Sequence, residues 1–161
     1  MIGFKLDESM AGYHTAPWAG DGKFKKPMRF TVTWGNKNIF RFLNPFSKEF
    51  LLNEARGTIT VDGLVSKADC SGSLHLLYFK QKKIRYLLNF EDDNGNRYRY
   101  EGEKTNIRPW NIYKTHFICD GVVKDLESNT IISRSTVKFP YSQILTLILS
   151  FRIRFRSVFK Y

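Results

Sequence analysis

Apolar and polar residues alternate with period two along most of the chain. In "RFTVTW", Phe30, Val32 and Trp34 share one face, with Arg29, Thr31 and Thr33 opposite. In "IRYLLNFE", Ile84, Tyr86, Leu88 and Phe90 line up against Arg85, Asn89 and Glu91. The "DDNGN" that follows is rich in residues that tolerate positive φ. After it, "RYRYEGEK" sets Tyr98, Tyr100 and Gly102 against Arg97, Arg99, Glu101 and Glu103. Alternation of this kind predicts half-buried strands, and here a hairpin.

Further strands are predicted at "GTITVDG" (Gly57–Gly63) and at "GSLHLLYF" (Gly72–Phe79), with "QKK" as a turn. "YKTHFICDGVVKD" and "TIISRSTVKF" form a late hairpin through "LESN". The stretch "NPFSKEFLLNEA" breaks the pattern and reads as a helical turn or a crossing between sheet edges. "NIRPWN" reads as a loop. Many short strands joined by tight turns predict an all-β domain. Large aromatics confined to one face favour an antiparallel β-barrel of lipocalin-like (calycin-like) shape over a two-sheet β-sandwich.

The C-terminal end differs. Ile144, Leu147, Ile148 and Phe151 keep helical spacing, so a helix is predicted from about Ser142 to Ser150, with Ser142 as its cap. Beyond it "FRIRFR" alternates strictly. The expected organisation is a barrel over residues 1–140 and a basic amphipathic extension over 141–161 packed on it.

Composition adds to this picture. The 161 residues suit one domain with a full core, and 42% are hydrophobic. The net charge is +11, which points to an anionic partner. No acid follows Pro140, where Arg152, Arg154, Arg156 and Lys160 fall. Interleaved with Phe151, Ile153, Phe155 and Phe159, these four form a candidate anionic-surface element, suited to lipid headgroups. Two cysteines, Cys70 and Cys119, make no disulfide framework and read as free thiols of a reducing compartment. The opening "MIGFKLDESM" carries no apolar run. The expected location is therefore cytoplasmic, with peripheral membrane contact.

Candidate chemistry is sparse. Asp7, Glu8 and His14 stand close together in "FKLDESMAGYHT", but neighbours on a strand point to opposite faces. They read as a strand entry, and no residue is assigned a catalytic role. His14, His75, His116 and the cysteines match no zinc spacing. No nucleophile elbow is present. Arg85, Arg97, Arg99 and Lys104 read as a solvated outer face paired with glutamates. Their tyrosine neighbours fall on the other face, which argues against nucleic acid as a partner. The inward face is the candidate site: Trp34, Tyr78, Tyr86, Phe90, Tyr98, Tyr100, Trp110 and Phe117 as apolar lining, with Ser133 and Ser135 as polar tips. Gly102, Ser133 and Ser135 would leave room beside the large rings.

As an ordered set, "FKLDESMAGY", "GTITVDG", "GSLHLLYF", "IRYLLNFEDDNGNRYRYEGEK", "PWNIYKTHF" and "SRSTVKFP" resemble a known family. It is the small β-rich accessory domain found with cholesterol-oxidase-like glucose–methanol–choline (GMC) oxidoreductases. The match runs from about Phe4 to Phe139 and includes Gly102 and Lys104 of a Gly-x-Lys element. The resemblance implies an accessory domain beside an oxidoreductase or hydrolase acting on lipids. It does not carry flavin chemistry over, because no G-x-G-x-x-G lies between a strand and a helix here. No cofactor is expected.

These readings converge on a non-catalytic binding or accessory protein for an apolar small molecule of the fatty acid, sterol or isoprenoid class. Two alternatives stay open: a small enzyme with its site inside the barrel, and an interaction module for anionic partners, lipid headgroups or nucleic acid.

Overall fold

A computed structural model describes residues 2–15, 24–108, 110 and 116–155. Among these residues are nine strands and three short α-helices: β1 (Gly3–Thr15), β2 (Lys25–Asn36), α1 (Ile39–Leu43), β3 (Leu52–Val61), β4 (Val65–Leu77), α2 (Tyr78–Gln81), β5 (Lys83–Glu91), β6 (Arg97–Lys104), β7 (Ile118–Asp125), β8 (Thr130–Lys138), α3 (Ile144–Leu149) and β9 (Arg152–Arg154). A 3-10 turn, Tyr141–Gln143, leads into α3. Strands β1 to β8 pair antiparallel in chain order, and β1 pairs with both β2 and β8, so the sheet closes into an eight-stranded barrel. The alternating pattern is thereby satisfied: each strand has one inward face and no long edge is left.

Closure is tight where β1 meets β8. Gly12 lies opposite Val137, and a Cβ at Gly12 would collide with the carbonyl of Thr136. Strand β8 covers only Ala11–Thr15 of β1. The free edge of the first half of β1 is covered instead by the C-terminal segment. Arg152–Arg154 pair with Gly3–Lys5, and the Ser150 hydroxyl accepts from the Asp7 amide at 2.9 Å. The alternating "FRIRFR" therefore yields a real strand, β9, after a helix shorter than expected. Ser142 does not cap α3, which starts without a side-chain cap.

Two other connections differ from expectation. "GSLHLLYF" is strand only to Leu77; Tyr78 opens α2, and Lys82 turns the chain at φ 51°. A short helix, α1, follows β2, because Asn38 Oδ1 accepts from the amides of Phe40 and Arg41. Residues 45–51 are turns that lead into β3.

The barrel has two unlike ends. One carries the β3–β4, β5–β6 and β7–β8 turns. The other carries α1, α2 and α3. The interior toward the turns is filled by Met10, Met28, Phe30, Ile59, Val61, Phe90 and Val123. Phe30 contacts Tyr86 and Tyr100 at ring distances of 5.7 and 5.4 Å. Burial of such side chains supplies about 1.5–3 kcal/mol each. The interior toward the helices is open.

Candidate functional site

Period two puts Asp7 and Glu8 on opposite sides of β1, as their adjacency requires. Asp7 faces outward, where it accepts from the Thr33 hydroxyl and pairs with Arg152. Glu8 faces inward and is buried. Its Oε1 accepts from Lys104 Nζ at 2.7 Å. Its Oε2 accepts from the Tyr86 hydroxyl at 2.9 Å and from Trp34 Nε1 at 3.1 Å. Lys104 is equally buried, with its ammonium 5.2 Å from the Tyr86 ring centre. A buried charge is tolerated when it is paired and hydrogen-bonded, and Glu8 meets both conditions. Lys104 meets them in part: of its three N–H donors, one is committed to Glu8.

Above this pair lies a cavity of about 220 Å³, open at the helical end of the barrel. Leu74, Leu76, Ile84, Phe117 and Phe139 form its apolar wall. Ile144 and Leu147 of α3 lean over it. At its rim the Tyr78 hydroxyl and His116 Nε2 share a hydrogen bond of 3.1 Å, with the rings stacked 5.8 Å apart. Burial and the Glu8 carboxylate hold both Tyr78 and Tyr86 above the usual phenol range, so both hydroxyls keep their protons. The arrangement can bury an apolar chain and offer N–H and O–H donors at its base. A larger depression of about 990 Å³ lies among Thr60, Asp69, Ser71, Asn89 and Arg99, but its lining is polar and it belongs to the outer wall.

Four expected lining residues meet at the cavity: Trp34, Tyr78, Tyr86 and Phe117. The others do not. Phe90 and Tyr98 pack on each other, at 5.6 Å, in the filled half. Tyr100 fills the room that Gly102 was expected to leave: a Cβ at Gly102 would lie 2.5 Å from its hydroxyl. Trp110 is exposed on the surface. Ser133 serves His14 at the far end, its hydroxyl 2.8 Å from His14 Nδ1, and Ser135 is buried away from the cavity. Lys104 corrects the outer-face reading of the basic hairpin. Arg85, Arg97 and Arg99 do face outward, with Arg85 on Glu103 at 3.0 Å, but Lys104 follows Tyr98, Tyr100 and Gly102 inward. Arg152 and Arg154 are exposed; Arg156 and Lys160 lie outside the described residues.

His14 is not part of this site. It is buried in the far half, where its Nε2–H donates to the Asp62 carbonyl at 2.9 Å. Burial lowers its pKa. Cys70 and Cys119 are free thiols that burial pushes up to about 12, so neither is an activated nucleophile. Among the described residues no grouping of His, Cys, Asp and Glu could hold a metal ion. No helix among them is long and apolar enough to cross a membrane. No family model, curated protein or solved structure matches the chain.

Proposed function

We propose that this barrel binds an apolar small molecule of the lipid class, with its polar end on Lys104 and its apolar body against Leu76, Phe117 and Leu147. The observation that carries the reading is a buried ammonium with N–H donors to spare at the base of an apolar cavity. A ligand oxygen in that position would satisfy those donors and lift the cost of leaving them unmet.

Size and charge narrow the class. Pockets for drug-sized ligands span about 300–1,000 Å³, and this cavity holds about 220 Å³. A single chain end or isoprenoid tip fits with α3 in place, and a sterol ring system needs α3 to move. The charge of Lys104 is already balanced by Glu8. A carboxylate would be a second anion against one ammonium, so an alcohol, ketone or aldehyde oxygen suits the base better.

Native mass spectrometry of protein purified from its source tests the reading. The expected result is an added mass, or one acquired on adding decan-1-ol or geraniol, and lost in Leu147→Trp. A bare chain that stays bare with alcohols, palmitate and cholesterol would overturn it.

A further inference from the structure

We infer that the helical end of the barrel is an anionic-membrane docking surface, a crown of apolar side chains set among cations around the cavity mouth. Phe40, Leu43, Phe46, Phe79, Leu145 and Leu149 all stand exposed there, Phe46 at 97% and Phe79 at 79%. Soluble surfaces rarely gather so many large apolar groups without a use for them.

The crown is contiguous although it comes from separate segments. Phe50 stacks on Phe79 with ring centres 6.1 Å apart, joining the 45–51 turns to α2. Phe4 contacts Phe42 of α1 at 5.0 Å and Phe151 after α3 at 6.1 Å. The Leu51 amide donates to the Phe42 carbonyl at 2.9 Å, tying the turns to α1.

Charge identifies the occupant. The described connections at the helical end (37–51, 78–82, 105–108, 110 and 116–117) and the C-terminal segment 139–155 together hold eight Lys or Arg against one acid, Glu49. The described turns at the far end (62–64, 92–96 and 126–129) hold four acids and no Lys or Arg of their own, with Lys25 and Lys26 opening β2 beside them. Lys37 pairs with Glu54, Arg41 with Glu49 and Arg152 with Asp7, and Arg108 lies over the Trp110 ring. Lys48, Lys80, Lys82 and Arg154 are exposed. The barrel is thus polarised along its axis, and a negative surface would orient it crown first. The outward faces of β5 and β6 carry Arg85, Asn89, Glu91, Arg97 and Glu101, the reverse of a wall that meets lipid. Contact is therefore confined to the crown, with side chains entering the interface to shallow depth. A protein partner would fit the apolar groups; a headgroup layer fits the groups and the axial charge together.

Vesicles of phosphatidylcholine alone, or with 30% phosphatidylserine, provide the test, with the full chain at about 0.1 M salt. Cysteines introduced by Phe46→Cys, Phe79→Cys or Asn94→Cys can each carry an environment-sensitive dye, since both native thiols are buried. The expected result is binding to the anionic vesicles alone, weakened by salt, with a blue shift at positions 46 and 79 and none at 94. Lys80→Glu with Lys82→Glu weakens binding at least tenfold, and Phe46→Ser with Leu149→Ser does so while the thermal midpoint stays unchanged. Binding to neither vesicle, a shift at 94 equal to that at 46, or a soluble dimer that hides the dyes without vesicles would overturn the inference. Ligand-cavity binding is read separately, so either conclusion can fail alone.

Discussion

Glu8 and Lys104 stand 96 positions apart in the chain and meet inside the barrel, Oε1 to Nζ at 2.7 Å. Their side chains are 6% and 5% exposed. Removing one partner leaves the other buried and unpaired, which costs about 3–5 kcal/mol. Lys104→Met alone and Glu8→Gln alone should each destabilise strongly in urea unfolding. Glu8→Gln with Lys104→Met should lose clearly less than the sum of the two, because neither charge is left behind. Additive losses would mean that the two side chains do not act as a pair.

Both ring nitrogens of His14 are hydrogen-bonded in the filled half, and burial keeps its pKa below the usual histidine value. The unfolded chain takes up a proton near pH 6.5 that the folded chain refuses until lower pH. Stability from this group is present above about pH 6.5 and is lost as pH falls through the depressed folded value. His14→Gln should flatten the acid limb of stability against pH, measured by urea midpoints between pH 4 and 8.

The thiols act in the opposite direction. Burial lifts Cys70 and Cys119 to about 12, while an unfolded thiol ionises near 9. Their contribution is full below about pH 9 and is lost as pH rises toward 12. At pH 8 neither should react with a disulfide reagent in the native state, and both should react in denaturant. Rapid native labelling would contradict the burial described here.

Gly12 lets β1 approach β8 closely enough to close the barrel. Gly12→Ala puts a methyl group against the Thr136 carbonyl and should cost about 1–3 kcal/mol. The loss would show as a lower urea midpoint and as faster amide exchange at Ala11–Thr15, where β1 pairs with β8.

The period-two pattern contained the fold and the inward face. It did not contain height along the barrel. Trp34, Tyr86, Phe90 and Tyr98 alternate alike, yet their heights along the barrel place the first two in the open half and the last two in the filled half. Lys104 continues the Tyr98, Tyr100, Gly102 face, so its inward position was legible from alternation alone. A lysine normally reads as solvated, and only distant Glu8 makes its burial intelligible. The helix α1 left a local trace, Asn38 ahead of "IFRFL", but five residues are too few for a periodic signal. Leu147 belongs to the site because α3 folds back over the mouth, a tertiary fact that its helical spacing does not express.

Amide and methyl NMR during titration with decan-1-ol and with decanoate tests the central claim most directly. The expected result is saturable shifts at Tyr86, Lys104, Leu76 and Leu147 with the alcohol, weaker binding of the carboxylate, and a silent far half around His14 and Val123. Shifts confined to the far half or the outer wall, or none with any lipid-class ligand, would contradict a binding site at the Glu8–Lys104 pair.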